Sequence, residues 1–205
     1  MQISLANIGR RFNREWIFRG VSQSFTSGNS YAILGPNGSG KSTLLNVIAG
    51  ALTPSEGEIT YFKDSQSLEH DKVFPYLSIA APYLELIEEF TLNELIDFHF
   101  KFKKPLAGQT PEALIGLLQL EKARNKQIKY FSSGMKQRVK LALAVCSQTP
   151  VVLLDEPTSN LDKSGIEWYL RLIEDNTLDR LVIIGSNQEH EYSFCNHHIF
   201  VTNYK

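Results

Sequence analysis

The sequence predicts an α/β fold: a parallel core sheet with an N-terminal antiparallel β-lobe and an inserted helical subdomain. Three observations predict it. Polar and apolar residues alternate in the first sixty or so positions, uninterrupted apolar tetrads recur later, and a block of helical periodicity precedes the second tetrad. Ile3 to Ile8, Val21 to Phe25 and Glu58 to Phe62 alternate as half-buried antiparallel strands do, with turn material at Thr26 to Gly28 and Pro54 to Gly57. Tyr31 to Leu34, Val151 to Leu154 and Leu181 to Ile184 are the tetrads, suited to parallel strands covered on both faces.

The helical block begins near residue 90. Thr91-Leu92-Asn93-Glu94 is a capping box ahead of Leu95, Ile96 and Phe98, and Thr110-Pro111 supplies an N-cap and a first-turn proline ahead of Ala113 to Leu120. A third helix is expected from Gly134 to Ser147, with Met135, Val139, Ala142 and Cys146 on one face and Pro150 ending it. The chain therefore divides into a β-lobe plus core (1–89 and 149–205) and a helical insertion (90–148), within one domain of 205 residues. Lys101-Phe102-Lys103-Lys104 is expected to be a solvated helix end.

Composition narrows the function classes. Hydrophobic residues make up 42% and charged residues 21%, which excludes disordered and collagen-like chains. With 21 Lys+Arg against 22 Asp+Glu, no summed field draws the chain to nucleic acid or anionic lipid. Two cysteines, Cys146 and Cys195, cannot form a metal cluster alone and suit a reducing, cytosolic setting. Neither a signal peptide nor a run of about 18 apolar residues is present, so the expectation is a chain neither secreted nor membrane-spanning.

Gly35-Pro36-Asn37-Gly38-Ser39-Gly40-Lys41-Ser42-Thr43 fits G-x-x-x-x-G-K-[ST], after an apolar strand and before the helical run Leu44 to Ala49. Its glycines let successive backbone N–H groups converge on phosphate oxygens at a helix N-terminus. Lys41 is then the counter-charge for the β and γ phosphates of ATP, and Ser42 a hydroxyl ligand for Mg²⁺. The second half of such a site is Asp155-Glu156, at the C-terminal end of an apolar strand. Asp155 is the candidate metal residue and Glu156 the candidate base for the attacking water.

With these two motifs the chain resembles the ATP-binding cassette family of P-loop NTPases, over nearly its whole length. Phe131-Ser132-Ser133-Gly134-Met135-Lys136-Gln137-Arg138 is similar to that family's signature motif, and Ser159-Asn160-Leu161-Asp162 to its D-loop. Phe12 stands where the family has an aromatic that stacks on adenine, a task any flat π-face can perform. The resemblance implies a RecA-like core sheet and an ATPase that pairs head to tail, as homodimer or heterodimer. Each ATP would lie between the Gly35 to Thr43 loop of one cassette and the Ser132 and Gly134 helix of the other, with Asp162 nearby. It further implies integral membrane subunits as partners and a peripheral place on the inner face of the cell membrane. Ser132 is in any case a good N-cap, and a capped helix N-terminus is also an anion site.

Three departures from the family pattern, at four positions, stand out. A glutamine expected nine residues before Thr91 is absent from Ala81-Pro82-Tyr83-Leu84-Glu85, leaving Glu85 and Tyr83 as candidate substitutes. Asn187 stands where the family has a histidine that contacts the γ-phosphate; its amide still donates a hydrogen bond but carries no charge. His190, His197 and His198 are read as non-catalytic. Ser133 and Met135 replace a usual glycine and glutamine, and Ser133 requires a negative φ. The expected enzyme is a slow ATPase driving transport. The alternative is an ATP-dependent module that remodels a protein partner without transport; a nucleotide kinase would leave Ser132 to Arg138 without a role.

Overall fold

The computed structural model describes residues 1–205. Two sheets organise the chain. The first joins β1 (Gln2–Phe12), β2 (Glu15–Thr26), β4 (Glu56–Lys63) and β5 (Gln66–Leu68) in the antiparallel order β2-β1-β4-β5. Both long strands extend beyond the alternating stretches because bulges interrupt their pairing. The register of β1 against β2 shifts between Leu5 and Ile8 and twice more before Phe12, with Asn7 at φ 51°.

The second sheet is wholly parallel, in the order β6-β7-β8-β3-β9: β6 (Leu77–Ala80), β7 (Val151–Asp155), β8 (Leu181–Ser186), β3 (Ser30–Leu34) and β9 (His197–Phe200). Its central strands separate two cores by the period of two. Ala32, Leu34, Val152, Leu154, Val182 and Ile184 enter one core. Tyr31, Ile33, Val151, Leu153, Leu181 and Ile183 enter the other, which the β-lobe and α1 (Lys41–Ile48) close. β6 is a strand the tetrad rule misses: Ser78 interrupts its apolar run and is buried by bonding the Ala144 carbonyl at 2.7 Å. β9 holds His197 and His198 within it, both exposed.

Between β6 and β7 lie α2 (Leu92–Phe102), α3 (Pro111–Leu118) and α4 (Ser133–Val145). Each begins on the cap its sequence calls for. Thr91 and Glu94 exchange capping-box bonds, Thr110 accepts from the Ala113 amide at 3.1 Å, and Ser132 accepts from the Met135 amide at 3.2 Å. α4 stops two residues earlier than expected because the buried Arg180 guanidinium takes up the carbonyls there, donating to Val145, Ser147 and Thr149. After β7 come α5 (Lys163–Asn176) and the short α6 (Glu189–Tyr192).

The basic stretch at the end of α2 is not a simple solvated end. Lys103 is buried, its ammonium donating to the Phe74 and Leu77 carbonyls, and burial lowers its pKa to about 8. Lys101 and Lys104 are exposed. Both cysteines are buried and free, and burial pushes each thiol up to about 12.

Candidate nucleotide site

The glycine loop joins β3 to α1 at the C-terminal edge of the parallel sheet. It encloses a recess of about 210 Å³ lined by Asn37, Gly38, Lys41, Ser42, Thr43 and Glu156, with Ile17 reaching in from β2. Gly40 caps α1 at φ 108°, and a Cβ there would meet the Ile17 side chain at 2.5 Å, so conformation and space both require glycine. The Ser39 amide closes a turn on the Pro36 carbonyl at 3.1 Å, and its hydroxyl beside Gly35 is buried without a partner. Lys41 is 4% exposed and curls back on its own loop, donating to the Gly35 and Pro36 carbonyls at 2.9 and 3.3 Å. A cation bonded only to neutral carbonyls is ready to exchange them for anionic oxygens.

Asp155 ends β7 at 1% exposure, and its Oδ1 has no hydrogen-bond partner. Burial is the main force raising its pKa to about 6; the Ser42 hydroxyl bond and Lys41 oppose that, while Glu156 and Glu191 add to it. Gly185 on β8 lies directly against this oxygen, and a Cβ there would come within 2.9 Å of it. A buried, unsatisfied carboxylate beside a serine hydroxyl is a hard-oxygen donor pair. No cluster of three or more His, Cys, Asp or Glu side chains forms a metal site. The unpartnered Asp155 oxygen is the observation that fits Mg²⁺, which takes one or two protein oxygens and fills its remaining positions with phosphate and water.

Glu156 lines the same recess from a left-handed backbone at φ 42°. Its amide donates to the Gly185 carbonyl at 2.9 Å, and its carbonyl accepts from Ser159 at 3.1 Å, so the strained turn is tied on both sides. The next turn is braced by residues the sequence reading missed. Glu191 on α6 is fully buried; its carboxylate accepts from the Thr158 amide at 2.7 Å, from the Thr158 hydroxyl at 2.6 Å and from the Ser186 hydroxyl. His190 joins the Thr158 hydroxyl at 3.0 Å, well placed as an anchor. Beside them, Asn187 donates through Nδ2 to the Asn37 Oδ1 of the glycine loop at 3.0 Å.

A second recess, of about 340 Å³, opens at the start of α4, lined by Ser132, Ser133, Gly134, Arg138, Asn160 and Asp162 among others. Ser133 is helical there, so its Cβ is tolerated. Gly134 packs on the Asn160 carbonyl, which a Cβ would approach to 2.9 Å. Asp162 caps α5, accepting from the Gly165 amide at 2.8 Å and the Ser164 hydroxyl at 2.9 Å; those bonds hold its pKa below the usual carboxylate range. The two recesses share no lining residue, so one copy does not bring Ser132, Gly134 or Asp162 to Lys41.

Phe12, at the end of β1, is 46% exposed with the Arg10 guanidinium 4.6 Å over its ring. It does not line the glycine-loop recess; Ile17 does. Trp16 is flanked instead by Arg11 and Arg19. Ile17, Thr158 and Glu191 carry no motif in the sequence: an apolar strand residue, a hydroxyl and a carboxylate on a four-residue helix become visible only through their contacts.

Known proteins resemble this chain in sequence and fold. Residues 18–159 match the ABC transporter family. The chain is 28% identical to the uncharacterized ABC transporter ATP-binding protein YybJ of Bacillus subtilis, over 94% of this chain and 89% of that protein. It is 30% and 32% identical to the sulfate/thiosulfate import ATP-binding proteins CysA of Pseudomonas putida and Mesorhizobium japonicum, covering 92% of this chain but only 60% and 57% of theirs. Among solved structures, a putative ABC transporter ATP-binding protein from Pyrococcus furiosus superposes over the full length of both chains with a TM-score of 0.81 at 20% identity. The dimeric ABC transporter cassette MJ0796 superposes with a TM-score of 0.78 at 25% identity, over 97% of this chain and 93% of that one. The glycine loop, the Asp155-Glu156 strand end and the α4 signature thus occur together in a RecA-like P-loop fold, and the chain belongs to the ABC transporter family as an ATP-binding, ATP-hydrolysing subunit.

Proposed function

We propose that two cassettes pair head to tail around two ATP molecules and drive separate integral membrane subunits, with this chain held peripherally on the inner face of the membrane. No helix of the chain is long and apolar enough to cross a membrane. The observation that supports pairing most strongly is the division of phosphate-binding features between two recesses with no residue in common. Each recess is half of an anion cage, and a second copy or a related cassette supplies the missing half.

In this reading the backbone amides of residues 35–43 and the Lys41 ammonium hold the phosphates, and Phe12 stacks on the adenine from the β-lobe. Ser42 and Asp155 hold Mg²⁺, which when bound neutralises developing charge on the phosphates. Glu156 orients the attacking water and takes its proton. Ser132 and Gly134 of the neighbouring cassette cover the γ-phosphate with the N-terminus of α4, and Asp162 keeps the adjoining turn in shape across the interface. Asn187 leaves Asn37 and donates to the γ-phosphate. It cannot carry a positive charge, so turnover is slow while nucleotide binding is retained. Loss of the γ-phosphate removes the differential affinity that favours the closed pair, which then opens.

The test is ATP turnover of the purified chain beside Glu156→Gln, with the native mass of the Glu156→Gln protein in ATP. The expected results are measurable turnover only in the parent and a doubled mass for the variant. Equal turnover in the two would remove Glu156 from its role. A variant that stays monomeric alone but pairs with a second cassette would assign a heterodimer.

A further inference from the structure

The β1–β2 hairpin carries aromatic and guanidinium groups outside the glycine-loop recess. Phe12 closes β1 and pairs with Glu15 across a two-residue turn in which Asn13 takes φ 53°. The Arg10 guanidinium lies 4.6 Å over the Phe12 ring, within reach of a cation–π contact. Trp16, on the other strand, has two guanidiniums over its ring, Arg19 at 4.7 Å and Arg11 at 5.5 Å. Arg19 is itself paired to both carboxylate oxygens of Glu56. Phe12 has a single such neighbour and stays 46% exposed, so ring surface is left for a second layer.

Arg10 is itself anchored. Its Nη1 donates to the Thr53 carbonyl at 2.9 Å, in the segment that follows α1. Its Nε is buried and has no hydrogen-bond partner. A buried donor left unpaired costs free energy, so the group is held in place by its other contacts, the Thr53 bond and the Phe12 ring. The neighbouring backbone is tied to the same segment: the Ser55 amide donates to the Gly9 carbonyl at 2.7 Å, and the Arg11 amide to the Ser55 hydroxyl at 3.1 Å. The end of β1 is therefore latched to the chain leaving the glycine-loop helix, and Arg10 carries that latch to the ring.

We propose that Arg10 is a positioning residue for the base: stacked on one face of Phe12 and anchored on Thr53, it presents the other face of the ring to the adenine. A flat guanidinium suits this task because it stacks on a ring while its edge donates elsewhere, and a lysine ammonium has no such plane. A cation behind the ring also draws electron density toward itself, which favours an electron-rich base on the open face. This inference rests on the reading of Phe12 as the adenine platform.

ADP and pyrophosphate separate the base from the phosphates. Neither has the γ-phosphate that closes the pair, so titration calorimetry with Mg²⁺ reads a single copy. The Thr53 bond is exposed, so water replaces Arg10 there in Arg10→Ala, and pyrophosphate binding is the control for folding. Arg10→Ala should weaken ADP binding about fivefold and Phe12→Ala about tenfold, with pyrophosphate affinity within about twofold of the parent in both. The double variant should bind ADP no more than about twofold less tightly than Phe12→Ala, because Arg10 acts through the ring. Parental ADP affinity in Arg10→Ala beside a loss in Phe12→Ala overturns the inference and leaves the platform standing. An equal loss for ADP and pyrophosphate, or losses that add in the double variant, overturn it as well. Parental ADP affinity in Phe12→Ala removes the platform reading itself.

Discussion

Asn187 and Asn37, separated by 150 positions in the chain, meet amide to amide at 3.0 Å and fasten the end of β8 to the glycine loop. The contact is exposed, so water can replace it at little cost, and the Asn187 donor is available to a phosphate oxygen. A neutral donor to an anion contributes about 1.5 to 3 kcal/mol, so Asn187→Ala should lower kcat/KM for ATP by at least about tenfold. Asn187→His restores a side chain that can carry charge and should raise kcat several-fold over the parent. Steady-state phosphate release across an ATP titration measures both, and a histidine variant no faster than the parent would show that the switch position does not limit turnover.

Gly134 and the Asn160 carbonyl make the corresponding close approach on the other recess. Alanine is the better helix former, so Gly134→Ala has little local cost within α4, about 1 kcal/mol in its favour by propensity alone. Its Cβ nonetheless falls 2.9 Å from a backbone oxygen, which must retreat and take the Asn160 to Asp162 turn with it. The expected outcome is a protein with near-parental thermal stability that no longer pairs in ATP when combined with Glu156→Gln. Light scattering after size-exclusion chromatography reads the result, and a doubly substituted protein that still doubles its mass would separate Gly134 from the interface.

Glu191 holds three hydroxyl and amide donors at once, on both sides of the Glu156 turn. Glu191→Ala strands those buried groups, at about 1 to 3 kcal/mol apiece if unrelieved, and a total loss of about 3 kcal/mol is expected in urea unfolding. Glu191→Gln keeps an acceptor for Thr158 and can donate to Ser186, so it should recover more than half of that loss. A glutamine variant as unstable as the alanine variant would mean that the negative charge, not the bonds, holds the turn.

The parts of this molecule legible in the sequence are those in which one short stretch does the whole task. The glycine loop, the capping box at Thr91 and Glu94, and the tetrads of β3, β7 and β8 all satisfy themselves locally. What escaped notice is assembled from distant residues. β6 is four residues long and includes a serine whose burial depends on Ala144, and Lys103 is buried only because Phe74 and Leu77 offer their carbonyls. Ile17, Asn46 and Glu191 are ordinary residues on ordinary elements until the sheet order brings them beside the glycine loop and the Glu156 turn. Motif spacing reports local chemistry; the second layer around it depends on topology.

His99 on α2 gives the helical region a pH dependence of known sign. Its Nε2 lies 2.9 Å from the Ser147 hydroxyl, which itself donates to the Leu143 carbonyl at 2.6 Å, so the ring nitrogen is the donor between them. Burial, with a smaller contribution from the Lys103 charge, lowers the His99 pKa from 6.5 to about 4, against a bond to Leu143 that favours the charged ring. The folded state therefore binds fewer protons than the unfolded chain between these two values, and stability falls as pH drops through that window. Screening by solvent at this partly exposed ring leaves an effect of about 2 kcal/mol, fully lost by pH 4. His99→Gln, which retains a donor for Ser147 but does not titrate, should flatten the difference between urea midpoints measured at pH 7 and pH 5. If parent and variant lose stability in parallel over that range, the acid sensitivity belongs to another group.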